Sequence, residues 1–170
     1  MRLILHAPNV HIGGGFVLLK ELLATSIGKL RWAQLDERTR ERLELQPSFE
    51  VHYVARTVKA RLFAEWRLWR ASKPDDLVLC FHGMPPFLPV RGRVVVFQQN
   101  RNLLGVNSLR QLPAKIALRI AFERAVCMLF RRNVDEYVVQ TGTMAEELRR
   151  WHGGDTPVRV LPFANLFNTV

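Results

Sequence analysis

The chain has 170 residues, 48% of them hydrophobic and 24% charged, with a formal net charge of +10 at pH 7. That length and apolar content suit one folded domain with a sizeable core and exclude a disordered chain. No apolar stretch approaches the roughly 18 residues of a membrane span, and the run after Arg2 is too short for the apolar region of a secretory signal, so a cytoplasmic protein is expected.

Residues 3–6 read as a short apolar strand, followed by Gly13, Gly14 and Gly15 and then by an amphipathic helix that begins over 17–23. Glycines let a ligand approach the backbone closely, and the unpaired N–H groups of a helix start favour an anion. The run is neither the spaced G-x-G-x-x-G of dinucleotide sites nor a P-loop, since no Gly-Lys-Ser/Thr follows. A turn that needs positive φ and tight helix–strand packing, without a ligand, explains it as well.

Residues 32–35 read as a second strand before a highly charged stretch over 36–42. Residues 49–55 form a third strand and 58–71 a helix. The segment 76–81 is almost wholly apolar, the pattern of a strand buried on both faces of a parallel sheet. Three prolines within 84–89 make a loop, and 93–98 is another buried strand. Residues 109–132 read as one long helix with Pro113 in its first turn. A strand over 136–140 leads to Thr141, which caps a helix over 143–151 that Gly153 and Gly154 stop. Residues 158–161 are a last strand, ended by Pro162. This alternation predicts an α/β fold: a three-layer Rossmann-like domain with a mainly parallel sheet, helices on both faces and right-handed crossovers.

The basic excess is concentrated. Residues 56–73 carry Arg56, Lys59, Arg61, Arg67, Arg70 and Lys73 against Glu65 alone. Residues 101–132 carry Arg101, Arg110, Lys115, Arg119, Arg124, Arg131 and Arg132 against Glu123 alone. Such an excess points to an anionic partner: nucleic acid, a phospholipid surface or a phosphorylated substrate. Nucleic acid is the weakest of these, because the chain has no zinc-ligand spacing, no aromatic RNA-binding strand and no recognition helix.

In the 58–71 helix, Leu62, Trp66 and Trp69 share a stripe with Phe63 beside it, flanked by Lys59, Arg61, Arg67 and Arg70. Tryptophan beside arginine suits a membrane interface, which makes Trp66, Trp69, Arg67 and Arg70 candidate membrane-facing residues. The stripe is nonetheless expected to pack on the sheet and to leave a solvated basic edge. In the long helix, Leu109, Leu112, Ile116, Ile120, Cys127 and Phe130 lie on one side and Leu118, Phe122 and Leu129 on the other, which implies burial alone or burial plus an interface. Glu123 falls in the first stripe and should be paired, with a neighbouring arginine as partner. Cys80 and Cys127 sit in apolar runs without metal-ligand spacing and are expected to be buried free thiols.

Ligands of α/β folds collect at the strand ends. Here those ends lead to Asn9 and His11, to His82, and to Gln98, Gln99, Asn100, Arg101 and Asn102. Five consecutive hydrogen-bonding side chains suit a sugar or polyol. His11 and His82 could act as bases, or simply pack and hydrogen-bond. No Ser–His–Asp or carboxylate-dyad spacing occurs, and no catalytic residue, metal or cofactor is assigned.

The order of elements resembles the N-terminal domain of bacterial glycosyltransferases of the GT-B fold, family 4 type. The resemblance rests on the strand, Gly13-Gly-Gly15 and helix opening, and on Val94-Val-Val-Phe-Gln-Gln-Asn-Arg101. It rests also on Asp135-Glu-Tyr-Val-Val-Gln-Thr141, Met144-Ala-Glu-Glu-Leu148 and Val158-Arg-Val-Leu-Pro162. It implies an acceptor-binding domain over 1–163, with an interdomain linker starting over 164–170. It implies a glycan or lipid-linked sugar acceptor held by Asn9, His11, His82, Gln99, Asn100 and Arg101, in cell-surface polysaccharide synthesis. It implies that Gly13, Gly14 and Gly15 face the donor diphosphate, and that the domain touches the inner face of the plasma membrane. The family's nucleotide-sugar-binding domain is not in this sequence, so transfer by this half alone is not expected. Many relatives carry a histidine after the strand that here ends in Gln98-Gln99, so no catalytic role carries over there. A non-catalytic module for a glycan or membrane surface is the first alternative, and a basic nucleic-acid-binding α/β protein the second.

Overall fold

A computed structural model of the chain describes residues 2–43, 49–105 and 108–162. The linker expected over 164–170 lies outside them. Seven strands form one sheet: β1 (Arg2–Ala7), β2 (Leu30–Asp36), β3 (Glu50–Val54), β4 (Asp76–Cys80), β5 (Arg93–Gln98), β6 (Glu136–Val139) and β7 (Val158–Val160). Their order is β3-β2-β1-β4-β5-β6-β7, and every pairing is parallel. Among the described residues four α-helices accompany them: α1 (Gly13–Ser26), α2 (Val58–Ala71), α3 (Ala114–Phe130) and α4 (Gly142–His152). This is the Rossmann-like α/β architecture that the sequence predicts.

Parallel strands covered on both faces must be apolar on both, and the core divides accordingly into two layers. On one face, Phe16, Leu19 and Leu23 of α1 pack with Leu5, Ala33, Leu35, Phe81 and Phe97. On the other, Leu68 of α2 and Met144, Ala145 and Leu148 of α4 pack with Ile4, Val78, Val96, Tyr137 and Val139. Cys80 and Cys127 are free thiols, both buried. The caps of α4 match their residues: the Thr141 hydroxyl accepts from the Met144 N–H, and Gly153 closes the helix at φ 55°.

Three expectations need correction. The segment 109–132 is not one helix. Leu109–Gln111 is a separate 3-10 turn, Leu112 is extended at φ −102°, ψ 149°, and α3 starts only after Pro113. The pyrrolidine ring disfavours helical geometry in the preceding residue, so the break falls where proline dictates. Second, the charged stretch after β2 begins inside the core: β2 runs on to Asp36, which is fully buried before the 3-10 turn Glu37–Thr39. Third, the aromatic stripe of α2 does not pack on the sheet. The inner face of α2 is Ala64, Glu65 and Leu68, whereas Leu62, Phe63, Trp66 and Trp69 are 54, 51, 43 and 39% exposed. Likewise Leu118, Phe122 and Leu129 of α3 face outward, while Ile120, Val126 and Cys127 are buried.

Candidate functional site

The chain leaves β1 toward β2 on one side, and β4 returns on the other. Loops that diverge from such neighbouring strands leave a crevice at the carboxyl ends. Here the crevice is a cleft of about 900 Å³. One wall is the loop 8–12 after β1 together with Gly15. His82 and Met84 follow from β4, and Gln99 and Asn100 from β5. The opposite wall comes from Arg56 just before α2, from Arg61 and Glu65 of α2, and from Arg119, Phe122 and Glu123 of α3.

The loop after β1 is tied down locally. The Arg42 guanidinium donates to the His11 carbonyl and lies 4.1 Å from the centre of the Phe16 ring. Gln99 spans the next gap, donating from Nε2 to the Phe81 carbonyl at 3.0 Å. A Cβ on Gly15 would stand 3.1 Å from Gln99 Oε1, so Gly15 admits a protein side chain at close range. Gly13 has φ +69°, and Gly14 has open space around it. Of the three glycines, only Gly15 lines the cleft.

Behind the cleft lining, and reaching it at Glu65, lies a buried polar chain that sequence reasoning missed. Gln34 Nε2 donates to the Ala64 carbonyl at 3.0 Å, which turns its Oε1 toward His6 Nδ1 at 2.6 Å. His6 Nε2 is 2.9 Å from Glu65 Oε1, and the Phe87 N–H donates to Glu65 Oε2 at 2.8 Å. Both ring nitrogens of His6 therefore meet acceptors, the geometry of an imidazolium–carboxylate pair. Burial alone would raise the Glu65 carboxyl, but the charge and hydrogen bond of His6 and the Phe87 N–H hold it below its ordinary value. The one acid among the cations of 56–73, on the inner face of an amphipathic helix, was the sequence signal for this site.

His82 stands edge-on to His6, with ring centres 5.0 Å apart. Its Nδ1 donates to the His6 carbonyl at 3.3 Å. Burial, reinforced by the charge of His6, lowers its pKa to about 3, so the ring is neutral at ordinary pH. Nε2 then carries a lone pair with no protein partner among the described residues, in the wall of the cleft. Asn9 and His11 line the same cleft, with His11 Nδ1 donating to the Asn9 carbonyl at 3.4 Å. Asn100 lines it too, although its Oδ1 accepts from the Asn102 N–H and so caps a 3-10 turn.

Arg101 is elsewhere. Its guanidinium forms a two-point ion pair with Glu147 of α4 and does not line the cleft. Because Glu147 is buried, it demands a cation, and Arg101 supplies it. Trp66, Trp69, Arg67 and Arg70 also lie outside the cleft, on the outer side of α2. Phe63 stacks on Trp66 at 5.3 Å, Arg67 covers Phe63 at 4.8 Å, and Arg70 covers Trp66 at 5.8 Å. Leu62 belongs to this stripe and to the cleft wall, so the two surfaces meet.

The other titratable groups serve the fold. Burial raises the thiol of Cys127 to about 12 and that of Cys80 well above its usual value, so neither is a ready nucleophile. Glu123 is raised by burial and lies 3.8 Å from Arg119, the arginine partner expected for it. Among the described residues, no group of three or more His, Cys, Asp or Glu side chains is arranged to hold a metal ion, and no helix is long and apolar enough to cross a membrane.

Comparison with protein-family models, with curated proteins and with solved structures finds no match for this chain. The functional reading therefore rests on the cleft and on the order of motifs along the sequence.

Proposed function

We propose that this chain is the acceptor-binding half of a glycosyltransferase, holding a glycan or lipid-linked sugar in the cleft while a separate domain brings the nucleotide-sugar. One observation carries the reading: Asn9, His11, His82, Gln99 and Asn100, chosen from sequence as sugar-binding residues, converge on one cleft at the switch point of the sheet. Sugar hydroxyls need both donors and acceptors. The amides supply both, and His82 offers a lone pair that stays unprotonated over the physiological range. The exposed Trp66–Trp69 face, with Arg67 and Arg70 across it, supports the further reading that α2 rests on an anionic membrane beside the cleft mouth.

Binding of neutral oligosaccharides to the chain, screened on a glycan array and followed by NMR, tests the proposal. The expected result is saturable binding that shifts the amides of residues 8–12 and 82–84 and is lost in Asn9→Ala and His82→Gln. No bound glycan, or equal binding by both variants, overturns it. Sequence-preferring nucleic-acid binding that survives physiological salt would favour the basic-module reading instead.

A further inference from the structure

The cleft holds more cations than its carboxylates neutralise. Asp36 is fully buried and is taken by Arg38, which donates from Nε at 2.7 Å and from Nη2 at 2.6 Å. Glu65 is taken by His6 and by the Phe87 amide. Glu123 sits beside Arg119. Arg56 and Arg61 remain. Both line the cleft, and neither has an ion pair or a side-chain hydrogen bond with a described residue. Arg61 is half-buried in the first turn of α2, and the two carboxylates whose charge reaches it, Asp36 and Glu123, are each already held by another arginine. Its lowered pKa, caused first by that burial, agrees. A desolvated guanidinium costs free energy unless an anion meets it, and its planar fork matches the oxygens of a phosphate.

The surroundings narrow the ligand further. Ile12, Val58, Leu62 and Phe122 stand around the same cations, 65, 73, 54 and 67% exposed. A polar floor, a pair of arginines with no ion pair of their own among the described residues and an apolar rim together fit a molecule with hydroxyls, a phosphate and an apolar portion. We propose that Arg56 and Arg61 form a phosphate subsite, so that the ligand of this cleft bears a phosphate or diphosphate group beside its hydroxyls. The inference rests on the reading of the cleft as a sugar site and adds the anion to it. A lipid-linked phosphate and a soluble sugar phosphate present the same group to these arginines.

Calorimetric titration of the full chain with inorganic pyrophosphate, at fixed ionic strength, tests the subsite. Saturable binding is expected, weakened roughly ten-fold or more in Arg61→Gln and in Arg56→Gln, and unchanged in Arg132→Gln, which is exposed and outside the cleft. Arg56 is exposed, so its variant keeps the test decisive should Arg61→Gln fail to fold. Co-sedimentation with phosphatidylcholine vesicles containing phosphatidic acid separates the sources. Weakening of both probes in Arg61→Gln indicates a lipid phosphate, and weakening of pyrophosphate alone indicates a soluble one. No saturable pyrophosphate binding, or equal affinity in the wild type and both cleft variants, overturns the subsite. Neutral glycans that still bind in that case leave the sugar reading intact, whereas pyrophosphate binding without any glycan binding removes the sugar reading and keeps the subsite.

Discussion

At the scale of single residues, the most consequential contact is between His6 and Glu65, both buried, with Glu65 in the cleft lining. Removing one partner of a buried pair leaves an uncompensated charge, which costs far more than the pair contributes. Glu65→Gln should therefore lower the unfolding free energy by about 3–5 kcal/mol in urea titration. His6→Gln combined with Glu65→Gln should recover part of that loss, because the orphan charge is gone. A cost below about 1 kcal/mol for Glu65→Gln would mean that no ion pair exists there. Two glycines give a second contrast. Gly83 has φ +78°, and its Cβ would lie 3.0 Å from Gln98 Oε1, so Gly83→Ala should cost about 1–3 kcal/mol. A Cβ on Gly14 would meet no described atom within 4 Å, and Gly14 lies in α1, so Gly14→Ala should be neutral or slightly stabilising in the same assay.

At the scale of elements, α2 faces two ways, and its two faces make separable predictions. Leu68 is fully buried in the core, so Leu68→Ala should cost about 2–5 kcal/mol. Trp66→Ala with Trp69→Ala should cost much less, because both rings are already partly in solvent, yet should abolish sedimentation with anionic vesicles. Vesicle binding that survives the double substitution would remove the membrane role from this face. The element also shows what the sequence holds and what it hides. Local signals were legible: Thr141 and Gly153 bound α4, and the apolar runs of β4 and β5 forecast central strands. The orientation of α2 was not, because an apolar stripe lies on its outer side, and the face that turns inward carries Glu65, whose partner His6 is 59 residues away. The same limit governs the site. The strand-end residues were legible because topology fixes where strands end. Arg38, Arg56, Arg61 and Arg119 were not, because separate segments bring them together in space.

At the scale of the whole molecule, the sheet order sets the cleft between β1 and β4, and the burial around it ties stability to pH. Burial, with the charge of Arg131, lowers His152 to about 4, and burial, with the charge of His6, lowers His82 to about 3. Unfolded histidine titrates near 6.5, so between about pH 6.5 and 4 the unfolded chain binds protons that the native chain refuses. Stability must then rise with pH in that window and fall on acidification, by at most about 1.4 kcal/mol per pH unit for each histidine. Below it, Asp36 and Glu65 act in the same direction. Burial pushes both up, but Arg38 and His6 outweigh it and hold both carboxyls below their ordinary values, so protonating them breaks those contacts. Glu123 opposes the trend, being raised by burial, but His52, lowered by its burial, and Glu147, lowered by its hydrogen bond from Arg101, act with the other four. The net charge of +10 adds self-repulsion as carboxylates are lost. The urea midpoint should therefore be lower at about pH 5 than at about pH 7.5, and His152→Gln should flatten the difference. Equal midpoints at the two pH values would mean that the folded chain accepts these protons, and that His82 is not held neutral in the cleft.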